Sequence, residues 1–160
     1  MLIWGSKSSF KGITSIYMHW LYNGNFPVAT IYVSDKIKAG AVLLHLAEEY
    51  VIGTQIRDTK YRNAIMNAFI AIHVRMKKLT FCSVIDVVYN SMDPGSPMRQ
   101  MLADMHALIV VDDVSKLEMM GHMPQAFVQD ALKSVLVIRP NEVDEWWWYF
   151  GKIEKMYYKE

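Results

Sequence analysis

The sequence predicts a mainly α protein of about seven helices with at most one or two short strands. Apolar residues recur at three- and four-residue spacing along most of the chain. Residues that start or stop helices, among them Asn23-Gly24, Asp58, Ser96-Pro97, Pro124 and Pro140, bracket these segments. A single run, "FPVATIYVSD", has the β-branched and aromatic density of a strand.

The first helix is marked by Ile13, Ile16, Tyr17, Trp20 and Leu21, with Asn23-Gly24 as its stop. Val28 to Val33 reads as a short strand bounded by Pro27 and Ser34-Asp35, without a partner of similar quality, so it either does not form or sits at an edge. In the next helix Leu43, Ala47, Tyr50 and Val51 share a face, Glu48 and Glu49 point away, and Gly53 ends the run. Asp58 is placed to cap a long helix in which Tyr61, Ala64, Ile65, Ala68, Phe69 and Ile72 form the stripe. Phe81, Val84, Ile85, Val88 and Tyr89 form a shorter one.

The stretch "SMDPGSPMRQMLADM" joins that stripe to Met98, Met101, Leu102, Met105 and Leu108-Ile109. Asp93-Pro94-Gly95 is turn chemistry, and Ser96 as N-cap with Pro97 at the first helical position reads as a helix start. "MPQAFVQDALKSVLVI" follows, with Pro124 suited to a first helical position and Phe127, Val128, Ala131, Leu132, Val135 and Leu136 as its stripe. Asn141 can cap a last helix carrying Trp146, Tyr149, Phe150, Ile153 and Tyr157.

Composition bounds the function. The chain has 160 residues, 52% apolar and 21% charged, which suits one domain with a sizeable core. Seventeen basic against 16 acidic residues leave a net charge of +1, so no overall field draws in nucleic acid or anionic lipid. Arg75, Lys77 and Lys78 read as a solvated helix end. The one cysteine, Cys82, excludes an intramolecular disulfide and suits a reducing compartment, so an intracellular location, nucleus or cytoplasm, is expected. Its place at the start of an apolar stripe predicts a buried or half-buried thiol. No apolar run approaches the ~20 residues of a membrane span.

Catalytic constellations are not evident. The five histidines lack metal-ligand spacing. Asp104 and His106 diverge by roughly 200° on a helix. P-loop, GxGxxG and GxSxG patterns do not occur. No enzyme activity, cofactor or metal is expected. A helix N-terminus at Ser96 with Arg99 in its first turn offers an anion site, against which the structural reading as turn and cap is preferred. Ser96-Pro97 also suits a proline-directed kinase, which would place negative charge on that N-terminus. Successive helical side chains lie ~100° apart, so Trp146, Trp147 and Trp148 cannot all face one way. Trp147 and Trp148 are therefore candidate partner-binding residues.

Two segments resemble BTB/POZ domains. "YMHWLYNGNFP" is similar to the "WLYTG" helix and turn late in that fold. "LLHLAEEYVIGTQIRDTKYRNAIMNAFI" resembles the closing helical pair, in which "LYVLADKLQ" precedes "LKNAVIDAL". "VIDVVYNSMDPGSPMRQMLADMHA" is similar to the "VYENTPEGSPLRRLLVD" block that follows the BTB domain in a large group of fungal proteins, and "MPQAFVQDAL" to their "LPKEFLLDLA". The resemblance runs in order from Ile13 to Leu136.

The resemblance implies a truncated α/β BTB/POZ-like fold. Residues 1–78 would be the C-terminal part of the BTB-like domain, 79–138 the helical extension that follows it, and 139–160 an aromatic-rich C-terminal helix. It implies a non-enzymatic protein–protein interaction module without cofactor. The alternatives are a substrate adaptor of a cullin-based ubiquitin ligase, or a truncated fragment without independent function. In the family, dimerisation and cullin binding rest on the N-terminal half, which has no counterpart ahead of Trp20. A protein partner of unnamed identity is therefore expected first, with a homodimer or a cullin behind it, and neither nucleic acid nor membrane.

Overall fold

The computed structural model describes residues 16–24, 36–76, 82–112 and 120–137. Helices α1 (16–23), α2 (Lys36–Gln55), α3 (Thr59–Met76), α4 (Cys82–Ser91), α5 (Pro97–Asp112) and α6 (Gln125–Val137) make up the described secondary structure. The mainly α class is thus observed, with six helices among the described residues rather than seven, and no strand among them. The candidate strand at 28–33 and the last helix at 141–157 lie outside the described residues.

Two helix pairs are joined through α4. α2 packs on α3, α5 packs on α6, and α4 touches α2, α5 and α6. One contiguous apolar core results. It takes Leu43, Leu46, Ala47 and Tyr50 from α2, Tyr61, Ile65 and Phe69 from α3, Val84, Ile85 and Val88 from α4, Met101, Leu102 and Met105 from α5, and Phe127 and Ala131 from α6. Met66, Met92, Met98, Met120 and Met123 are buried as well. Unbranched thioethers suit the irregular gaps between packed helices. Among the described residues, no helix is long and apolar enough to cross a membrane.

The corner between α2 and α3 explains three local choices. The Asp58 amide donates to the Gly53 carbonyl at 3.0 Å and the Arg57 amide to Thr54 at 3.2 Å, the paired bonds of a Schellman motif. Arg57 takes the left-handed position with φ 59°, where glycine is usual. Asp58 then caps α3: its Oδ1 accepts the Tyr61 amide at 2.9 Å.

Gly53 does not end α2, which continues to Gln55. A Cβ there would stand 2.8 Å from Arg62 Cγ and 3.1 Å from Tyr61 Cδ1, so its role is to let α3 approach closely. The helix stops two residues later because the Schellman bonds absorb its last carbonyls.

Glu48 and Glu49 do not both point away. Glu48 is half-buried beside His45, at 3.3 Å, whereas Glu49 is 0% exposed. Adjacent helical residues lie ~100° apart, so one of two neighbouring carboxyls can turn inward while the other stays wet. Tyr61 makes the inward position tolerable, because its hydroxyl donates to Glu49 Oε2.

Candidate functional site

The helix start at Ser96 follows a tight turn. Gly95 has φ 82°, the Ser96 amide donates to the Asp93 carbonyl at 3.1 Å, and the Gln100 amide donates to the Ser96 carbonyl at 3.0 Å. Pro97 is the first residue of α5, where its missing N–H costs nothing. Tyr50 of α2 is buried against this corner, with the Ser96 hydroxyl and the Met98 amide as hydrogen-bonding neighbours. Burial raises the Tyr50 phenol above its ordinary value, with Arg62, Ser96 and Met98 pulling the other way. A buried phenol thus neighbours the start of α5.

Arg99 does not serve an anion. It is only 6% exposed and turns inward, with Nη2 donating to Asp130 Oδ2 at 3.0 Å and Nη1 to the Met92 carbonyl at 3.4 Å. Its guanidinium lies 4.1 Å from the centre of the Tyr89 ring, and the Tyr89 hydroxyl donates to Asp130 at 3.3 Å. Asp130 also accepts from Lys133 at 3.2 Å. Desolvation raises the Asp130 carboxyl, but hydrogen bonds from Arg99 and Lys133 and their charges outweigh it, and the net shift is downward. The same group of residues pushes the Tyr89 phenol upward: burial comes first, Asp130 adds to it, and Arg99 opposes it. This network ties α4, α5 and α6 together. Arg99 is thus committed to a counter-ion 31 residues away, which i to i+3 spacing in a first turn cannot reveal.

The chain matches no family model, no curated protein and no solved structure.

The candidate partner residues Trp147 and Trp148 lie outside the described residues. Cys82 is exposed rather than buried. It is the first residue of α4, one turn ahead of Ile85, so it stands at the helix end rather than within the buried stripe. Among the described residues no group of three or more His, Cys, Asp and Glu side chains could hold a metal ion.

Two of the histidines are core residues. His73 Nδ1 donates to the Phe69 carbonyl at 2.9 Å and the ring stacks on Phe69, with centroids 4.6 Å apart. His106 Nδ1 donates to Leu102 at 2.8 Å and meets Phe127 edge-on at 4.8 Å. Burial pushes both down to about 4, the backbone acceptor opposes this in each, and His106 lowers His73 further. They are neutral packing groups at neutral pH.

Exposed apolar side chains lie on the flanking helices. On α1 these are Met18, Leu21 and Tyr22; on α6 they are Leu132, Leu136 and Val137. The α6 row departs from the stripe read in the sequence. Phe127, Ala131 and Ser134 face the core, while Leu132 is 48% exposed and Leu136 87% exposed. Ser134 is drawn inward because its hydroxyl accepts from Gln100 Nε2 at 3.3 Å. A polar residue at a core position is invisible to apolar periodicity, so the buried face runs through Ser134 rather than Leu132 and Leu136.

Proposed function

We propose that the chain is a non-enzymatic protein–protein interaction module of the BTB/POZ type. The observation that carries this reading is the apolar row on α6. Leu136 and Val137 are 87% and 80% exposed on a helix whose opposite face is locked into the core by Phe127 and Ala131. Single exposed leucines are ordinary, but neighbouring ones on a rigid helix suit recognition by a partner. The ordered resemblance from Ile13 to Leu136, which includes "NSMDPGSPMRQMLADM", supports the same reading.

Affinity purification with the wild-type chain and with the Leu132→Asp/Leu136→Asp variant tests it. A specific set of proteins is expected with the first and lost with the second. Repeated recovery of no specific partner by the wild type, or recovery of the same set by both, would overturn the proposal. A cullin within the lost set would add the ligase-adaptor role.

A further inference from the structure

The α2–α3 interface buries a carboxyl group with half of its hydrogen-bonding capacity unused. Glu49 Oε2 accepts from the Tyr61 hydroxyl, while Oε1 is buried without a partner. Tyr61 is itself fully buried and is the platform on which α1 sits. The Tyr17 ring meets it edge-on with centroids 4.9 Å apart, and the Trp20 ring lies 5.7 Å away. The Tyr17 hydroxyl reaches Asp58 at 3.4 Å. Glu49 thus orients the side chain that seats α1.

We propose that Glu49 is a protonation-dependent latch for α1: the neutral carboxyl keeps Tyr61 in place beneath Tyr17 and Trp20, and ionisation loosens that seat. This concerns the fold and stands apart from the partner reading above.

The charges around the group support it. Glu49 is faced by Tyr61 from α3 and by Glu48 from α2 itself. Beyond Tyr61 lie Asp58 and, from α1, Tyr17, neither of them cationic. His45 is engaged by Glu48, and Arg62 of α3 by Thr59 at 3.1 Å and by Tyr50. On α4, the other helix packed on α2, Cys82 and Asp86 are exposed and Tyr89 is turned toward Arg99 and Asp130.

An ionised Glu49 would therefore sit in a dry interface with one oxygen unsolvated and a like charge beside it. Burial pushes the carboxyl up to about 7, against the pull of the Tyr61 hydrogen bond and with Glu48 adding to the rise. The unfolded chain releases this proton first as pH rises. The stabilisation is complete below about 4.5 and is lost as pH climbs through about 7. Water is the available relief for the charged form, and to reach it the carboxylate must leave Tyr61.

Equilibrium unfolding of the full chain and of Glu49→Gln, from pH 4.5 to 8, tests the proposal. The amide keeps an acceptor for Tyr61 and cannot ionise. The folding constant of the variant relative to wild type is expected to rise by roughly 100-fold across this range. The Trp20 indole resonance should move with pH in the wild type alone. A constant ratio, or a Trp20 signal that ignores pH in the wild type, overturns the latch. Carboxyl 13C NMR of the wild type reads the same group without a substitution. A Glu49 midpoint near 7 is expected, and one at the ordinary carboxylate value overturns the proposal.

Discussion

Arg99 of α5 and Asp130 of α6 form an ion pair at 3.0 Å, with the arginine side chain 8% exposed and the aspartate 26%. The arginine is nearly dry, so its charge depends on this one carboxylate, the Met92 carbonyl and the Tyr89 ring. Removing one partner of such a pair strands the other, which costs more than the pair itself contributes. Asp130→Ala is therefore expected to lower stability by about 3 kcal/mol, measured by urea unfolding. Replacing both partners, as in Arg99→Met/Asp130→Leu, should cost clearly less. Equal losses in the two variants would show that the arginine is solvated.

Arg57 makes a stabilising substitution available. It holds φ 59° at the position after α2 where glycine normally completes the Schellman motif. An L-residue there loses roughly 1–2 kcal/mol to the contact of Cβ with the following carbonyl. Glycine gives part of that back through the entropy of the unfolded chain. Arg57→Gly should raise stability by about 0.5–1 kcal/mol. A lower melting temperature for this variant would mean that the Arg57 side chain makes contacts that matter more than the backbone strain.

Four residues away the sign reverses. Gly53→Ala improves helix propensity by about 1 kcal/mol. The new methyl, however, meets Arg62 Cγ at 2.8 Å and the Tyr61 ring at 3.1 Å. The arginine stem can yield, but the ring is pinned by Glu49, Tyr17 and Trp20. A net loss of about 1–2 kcal/mol is expected, with the Trp20 environment disturbed in the same variant. Unchanged stability would show that α2 and α3 separate easily at this point.

These residues also mark where sequence reading reaches its limit. Asp58 as the cap of α3, the turn at Asp93–Ser96 and the stripes of α3, α4 and α5 depend on neighbours within about four residues, and local spacing encodes them. Glu49 does not belong to that class. Its partner Tyr61 is 12 residues on, and the two meet only when α2 folds back on α3. Arg99 and Asp130, 31 residues apart, depend on the α5–α6 packing in the same way. Gly53 looked like a terminator because the crowding that requires it comes from another helix. Leu132 and Leu136 looked like core because nothing local distinguishes an apolar residue that packs from one that stays uncovered. The candidate site was legible as a helix start, and its inward-facing electrostatics were not.

The two buried histidines set an acid limit. Both are held at about 4 in the folded chain against an ordinary 6.5. As pH falls the unfolded chain takes up protons first, so their contribution is complete above about 6.5 and is lost progressively toward 4. Each shift is worth on the order of 3 kcal/mol. Glu49 works in the opposite sense up to about 7. Two histidines outweigh one carboxyl below 6.5, and of these three groups Glu49 is the one whose contribution still changes above it. Maximum stability is therefore expected near pH 6.5, and urea midpoints between pH 4.5 and 8 locate it. In His73→Gln/His106→Gln the rise from acid to neutral should disappear. If it persists undiminished, the acid sensitivity lies elsewhere.

The contrast between the two faces of α6 is the sharpest check on the partner reading. Phe127 is fully buried, meeting Tyr89 at 5.3 Å and His106 at 4.8 Å, both edge-on. Truncating it empties a large site bounded by three helices, and Phe127→Ala should cost about 3–5 kcal/mol. That is a large share of the ~5–15 kcal/mol typical of a domain. Leu136, nine residues on and almost fully solvated, should tolerate Leu136→Asp within about 0.5 kcal/mol. Thermal unfolding of both variants separates the two roles. A Leu136→Asp protein that folds normally but loses its partners would assign the outer face of α6 to recognition. A large stability loss in that variant would mean that Leu136 packs against another part of the chain, and the outer face would no longer be available to a partner.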